Sequence, residues 1–198
     1  VNYPVEFNSE HSSLFGLLFG ESKAMLCFSY GSNMSQRRLQ ARVPSARFVA
    51  VAELAEHRML FHKRSRADGS AKCDAEYTGH SDDRVIGIVW DIATSEKGDL
   101  DRVEGLGFGY DEKIVEVITG QAERLRTQIY VATDIDPTLT PYRWYWEHVR
   151  IGARENRFPA EYIAWIERVS VAEDPEPERH YHELSIYTSL DLFPEQPE

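Results

Sequence analysis

The apolar positions of this chain fall in short runs separated by glycine, aspartate and charged residues, and that pattern predicts strands more than long helices. Met25-Leu26-Cys27-Phe28, Phe48-Val49-Ala50-Val51-Ala52, Met59-Leu60-Phe61-His62 and Ala75-Glu76-Tyr77-Thr78 read as strands. Residues 85–92 are apolar almost throughout, as in a central strand, and Gly87 inside them predicts a bulge or a close contact. Residues 110–119 alternate at Ile114, Glu116 and Ile118, Gly120 marks a hairpin turn, and residues 125–132 run back. Helical stretches intervene. Residues 35–42 read as a helix stopped by Pro44. Residues 95–103 read as a short helix capped by Ser95 and ended by Glu104-Gly105, with Gly105 suited to a left-handed C-terminal cap. Thr140-Pro141 opens an aromatic helix holding Tyr142, Trp144, Tyr145 and Trp146, which Phe158-Pro159 breaks before a second helix to about residue 169. Strands in succession, with helices that do not alternate with them, predict an α+β fold. Its core is a small, mostly antiparallel sheet, curled or closed into a barrel, with flanking helices.

The same pattern divides the chain. Residues 1–22 read as an N-terminal extension, 23–170 as the body, and 171–198 as an acidic linker with a C-terminal segment. The linker, Asp174-Pro175-Glu176-Pro177-Glu178, is expected in solvent. Leu184-Ser185-Ile186-Tyr187 is expected to add a strand or pack loosely. In the extension, Leu14, Phe15, Leu17, Leu18 and Phe19 are too many apolar side chains to leave in water. A cap on the chain's own core or a contact with a second chain would bury them. A homodimer contact is the favoured expectation, because the body is complete without this segment.

Charge narrows the function. The net charge of −11 argues against a nucleic-acid binder, which needs a basic face. Arg37, Arg38 and Arg42 read as a solvated helix face, and Lys63, Arg64 and Arg66 as a basic turn closed by Asp68-Gly69. The two cysteines, Cys27 and Cys73, lack metal-ligand spacing and cannot make a disulfide scaffold, so a cytoplasmic location is expected. No apolar run approaches a membrane span, so no membrane partner is expected.

Two places carry chemistry. Tyr30-Gly31-Ser32-Asn33-Met34 links a buried strand to a helix start, where free backbone N–H groups suit a carboxylate or an oxyanion. A plain turn capped by Asn33 or Ser35 is the competing reading. Glu104 sits at a helix C-terminus, where the dipole and partial burial both favour the protonated acid. A carboxyl of that kind can shuttle protons near neutrality. Gly105-Leu106-Gly107-Phe108-Gly109 follows a helix and precedes a strand, the reverse of a dinucleotide fingerprint. Ser32 has no His-plus-acid partner nearby in sequence. His180 and His182 would face one way on a strand, but a solvated terminal segment is favoured over a metal site. No metal and no cofactor are expected.

Together these residues resemble the γ-glutamylcyclotransferase family. Tyr30-Gly31-Ser32-Asn33 resembles its strand-to-helix turn, and Glu104-Gly105 its catalytic Glu-Gly. Gly152-Ala153-Arg154-Glu155-Asn156, followed by Pro159 and Tyr162, resembles its Gly-Ala-x-Glu-Asn stretch. The resemblance runs from about residue 25 to 169, and the extension and final segment depart from it. It implies cyclisation of a γ-glutamyl amide to 5-oxoproline with release of an amino acid or amine, a place in glutathione metabolism, and no cofactor. It implies Glu104 as general acid/base, with Tyr30, Gly31, Ser32, Asn33, Tyr110, Tyr130 and Tyr142 around a small γ-glutamyl substrate. Two alternatives stand beside it. One keeps the reaction with a γ-glutamyl amine or a γ-glutamyl-protected biosynthetic intermediate. The other is a non-catalytic domain that binds a small carboxylate or a protein; the presence of both the turn and Glu104 speaks against it.

Overall fold

The computed structural model describes residues 24–192. The extension, with its apolar cluster from Leu14 to Phe19, lies outside the described residues. Seven strands form: β1 (Ala24–Ser29), β2 (Arg47–Ala55), β3 (His57–Arg64), β4 (Ala71–Tyr77), β5 (Arg84–Ala93), β6 (Tyr110–Thr119) and β7 (Arg124–Ala132). Six helices accompany them: α1 (Gln36–Gln40), α2 (Lys97–Glu104), α3 (Arg143–Glu155), α4 (Ala160–Glu167), α5 (Pro177–Leu184) and α6 (Ser189–Leu192).

Five strands close into a barrel in the order β1-β5-β2-β6-β7, and β3 with β4 forms a separate hairpin. The barrel is antiparallel except where β7 meets β1, at the single parallel pair Cys27 and Gln128. β5 is the spine. It pairs with β1 on one side and β2 on the other, and its residues 85–90 are all buried, which explains their unbroken apolar run. Gly87 is the predicted close contact: a Cβ there would lie 2.6 Å from both the Phe28 ring and the Ser29 carbonyl. The core gathers Phe28, Met34, Leu39, Ile88, Trp90, Ile92, Ile129 and Val149.

Four local expectations change. The first helix is shorter than residues 35–42: a 3₁₀ turn over Ser32–Met34 precedes it, Ser35 is its N-cap, and it ends at Gln40. The aromatic helix starts at Arg143 rather than Pro141. Tyr142 is held extended in a bridge to Ala172, closed by Ala172 N–H to the Pro141 carbonyl and Arg143 N–H to the Ala172 carbonyl. The acidic linker is not wholly solvated. Asp174 is buried, accepting from Trp144 Nε1 at 2.7 Å and from Arg179 at 2.6 Å. The chain beyond it forms α5, so His180 and His182 lie on a helix; α5 ends at Leu184, and the expected strand over residues 184–187 is a turn that carries the buried Tyr187. Pro177 at the first helical position favours that start. α5 packs on α3, and the Tyr187 hydroxyl reaches His148 Nδ1 at 2.6 Å.

Candidate active site

The turn after β1 is built to leave donors free. Met34 N–H donates to the Gly31 carbonyl and Ser35 N–H to the Ser32 carbonyl. Among the described residues those closures leave the N–H groups of Gly31, the cap of the 3₁₀ turn, and of Ser32 and Asn33, its first two residues, without a hydrogen-bond acceptor. Neither Asn33 nor Ser35 caps α1 with its side chain. Asn33 instead donates through Nδ2 to Glu104 Oε1 at 2.5 Å and accepts at Oδ1 from Arg42 at 3.1 Å. Two opposite demands, one on each end of the amide, fix its orientation.

Glu104 is the last residue of α2, and Gly105 follows in the left-handed conformation (φ 75°, ψ 45°), the predicted cap. Glu104 is half-buried as a residue, but its carboxyl reaches a desolvated place. Burial raises its pKa above the usual glutamate value, while Arg42, the Asn33 amide, Arg38 and Lys63 pull the other way.

Together the turn and Glu104 wall a small chamber. Tyr30, Gly31, Ser32 and Asn33 line it from the turn, Tyr110 and Tyr130 from β6 and β7, Cys73 from β4, and Tyr145 from α3. Tyr30 donates to the Tyr130 carbonyl, Tyr110 to the Cys73 carbonyl, and Tyr130 to Asp101 Oδ1, each at 2.6 Å. These tyrosines brace the walls, and none of them reaches Glu104 by a hydrogen bond. Tyr145 accepts from Cys73 N–H at 3.0 Å. Cys73 is no nucleophile in waiting, since burial pushes its thiol up to about 12.

Tyr142 lies elsewhere. Its hydroxyl donates to the Asp68 carbonyl at 3.2 Å, and it lines neither the chamber nor the cleft outside it. Tyr145, a helical turn later, faces the chamber in its place. The reason is the extended Tyr142–Ala172 bridge, which turns Tyr142 away before α3 begins.

The Gly152 to Asn156 stretch supports the turn from behind. A Cβ on Gly152 would lie 2.7 Å from Ser35 N and from Met34 Cβ. Only glycine lets α3 come this close to the turn's backbone. Asn156 donates to the Met34 carbonyl at 3.2 Å, and Glu155 accepts from Gln36 N–H at 2.7 Å.

The basic residues also move inward. Arg38 is buried, within 2.5 Å of His148 Nε2 and 2.6 Å of Glu183, rather than on a solvated face. Lys63 is buried with its ammonium 4.5 Å from the Tyr110 ring centre, while Arg64 and Arg66 pair at the surface with Asp136 and Asp134. Sequence spacing gave no sign that Arg42, Lys63 or Cys73 would line the site. A sign was available only for Tyr145, which follows Tyr142 at helical spacing. Among the described residues no cluster of histidine, cysteine or acid side chains could hold a metal ion, and no helix is long and apolar enough to cross a membrane.

Comparison with known proteins bears on the family and the fold. An AIG2-like family model matches residues 84–166, from β5 through α2 and Glu104 into α4. The chain is 30% identical over 152 residues to the γ-glutamylcyclotransferase of Homo sapiens, covering 72% of this chain and 77% of that protein. The enzyme of Mus musculus matches at 30% over 148 residues, with the same coverage of 72% and 77%. A solved γ-glutamyl cyclotransferase structure superposes with a TM-score of 0.71 at 26% identity, over 78% of this chain and 92% of that one. With the barrel, the turn and the carboxyl arranged as described, the chain belongs to the γ-glutamylcyclotransferase family.

Proposed function

We propose that this enzyme cyclises a γ-glutamyl amide, releasing 5-oxoproline and a free amine or amino acid, with Glu104 as general acid/base. The observation that carries the reading is the 2.5 Å contact between Asn33 and Glu104. It brings the turn with its free N–H groups and the carboxyl, 71 residues apart in sequence, to one chamber. The substrate's own α-amino group attacks its γ-carbonyl and the amide C–N bond breaks. Starting from the α-ammonium, the attacking nitrogen gives up two protons in becoming the lactam N–H, and the departing nitrogen takes up two in leaving as an ammonium, so a single carboxyl can relay them in turn and no cofactor enters the balance.

Geometry and energetics fit that task. Holding the glutamyl unit folded supplies the proximity advantage of an intramolecular reaction. An ordinary glutamate (about 4.3) taking a proton from an α-ammonium (about 8) faces a gap of roughly 5 kcal/mol. Burial of Glu104 narrows it. The free N–H groups of Gly31, Ser32 and Asn33 suit the substrate α-carboxylate or the developing oxyanion. Two buried free cysteines fit a reducing, cytoplasmic setting. The test is 5-oxoproline release from γ-glutamyl compounds, with Glu104→Gln as the control. A folded Gln variant with near-normal turnover would remove Glu104 from the mechanism.

A further inference from the structure

Beyond Glu104 the chamber opens into a cleft of about 510 Å³, and the charge of that cleft is opposite to that of the protein. Seven basic side chains and three acidic ones line it, on a chain of net charge −11. Five of the seven have carboxylate partners. Arg38 pairs with Glu183, Lys72 with Asp68, Arg66 with Asp134, Arg102 with Asp99 and Arg179 with Asp174. The other two are Arg42 and Lys63. Among the described residues neither has a carboxylate within ion-pair distance.

Both are built in rather than waving in solvent. Lys63 is only 7% exposed, with its ammonium over the Tyr110 ring. Gly109, at φ 122°, clears its seat, since a Cβ there would lie 2.9 Å from Lys63 Cε. Arg42 is held by Asn33. Burial lowers the pKa of both, that of Arg42 to about 10, and the charge of Glu104 works against the lowering. Buried cations without counter-charges are costly. Glu104 acts on both, with Asp134 and Asp68 adding to it at Lys63 and Glu183 at Arg42, none of them paired directly, and Glu104 loses its charge each time it carries the proton. At that moment two positive groups face the departing half of the substrate. A neutral amine offers them nothing, and one carboxylate satisfies one of them.

We infer that Arg42 and Lys63 form a leaving-group subsite selecting a released amine with two acidic groups, as in an acidic amino acid. This rests on the cyclisation reading and names its substrate class. The test is steady-state 5-oxoproline release by the full chain from γ-glutamyl-aspartate, γ-glutamyl-alanine and γ-glutamyl-ethylamide. The expected order of kcat/KM is aspartate, alanine, ethylamide. The first should exceed the last by about 10-fold or more, chiefly through KM, which is the scale of one charge-assisted pair. Added salt should compress the order.

Lys63→Gln should raise KM for the aspartate compound about 10-fold relative to the ethylamide, and Lys63→Arg should restore the preference. Arg42→Gln should weaken the same preference while also lowering kcat through Asn33, so Lys63 carries the decision. Equal KM values for the three substrates, or an equal loss on all three in Lys63→Gln, would overturn the subsite and leave cyclisation standing. No 5-oxoproline from any of them would overturn the cyclisation reading, and the subsite with it.

Discussion

The inner chamber and the outer cleft share Glu104 but are made of different material. The chamber presents backbone N–H groups, braced tyrosines and one carboxyl. Its walls are tied by hydrogen bonds into the barrel strands and into α3. The cleft presents long cationic side chains from α1, β3, β4, α2 and α5. Chemistry that must be placed to fractions of an ångström sits on the barrel and the backbone, where little can move. On the proposed reading, recognition of a variable leaving group falls to side chains that can be exchanged without disturbing the barrel. The two regions should therefore fail differently when altered.

The largest effect is expected at their shared residue. Glu104→Gln should lower turnover by roughly 100-fold or more, the loss typical of a missing general base. The parent's acid limb in kcat/KM should lie above the usual glutamate value of about 4.3, because burial raises the carboxyl, and the Gln variant should lack that limb. An acid limb retained in the variant would assign the proton transfer to another group.

Gly152→Ala tests whether the chamber depends on its support. The added Cβ would press on Met34 and Ser35 backbone atoms, which have no room to yield. Overpacking of this kind costs about 1–3 kcal/mol, readable as a lower urea midpoint. KM for every substrate should rise together. A change confined to acidic substrates would break the distinction between the two regions.

A smaller effect concerns stability. The folded state raises the pKa of Glu104, so ionising it there costs folding free energy. That cost is absent below the ordinary glutamate value and complete above the raised one. The melting temperature of Glu104→Gln relative to the parent should therefore climb as pH rises through that window and then level off. A constant difference across pH would mean that burial does not shift this carboxyl. The smallest effect is expected at Tyr142. Its hydroxyl serves only the Asp68 carbonyl, so Tyr142→Phe should change kcat/KM by less than about 2-fold, as a surface-like substitution does. Tyr145→Phe, which removes a hydroxyl from the chamber wall, should cost more.

Much of this arrangement was legible in the chain itself. A continuous apolar run predicts a spine such as β5, since only a strand covered on both faces lacks polar alternation. Gly105 after Glu104 predicts a helix end with the carboxyl at its tip, because that cap needs a positive φ. Gly31-Ser32-Asn33 after a strand predicts a turn with free donors. All of these are local consequences of covalent geometry and side-chain period, so they survive without knowledge of partners.

What faces what was decided only by the fold. Arg38 and Arg42 read as solvated because a short basic helix usually is. Arg38 is drawn inward because His148 of α3 and Glu183 of α5 meet its guanidinium, and Arg42 because the Asn33 amide holds it. Lys63 reads as part of a turn, yet the space left by Gly109, 46 positions on in the sequence, gives it a seat beside Tyr110. Tyr142 and Tyr145 are equivalent as letters, and a bridge to Ala172 chooses between them. The sequence alone determined the strands, the turn and the carboxyl at a helix tip, because neighbouring residues settle those. Only tertiary packing determined the charge of the cleft and the members of the chamber, because these depend on contacts between residues whose separation along the chain carries no period.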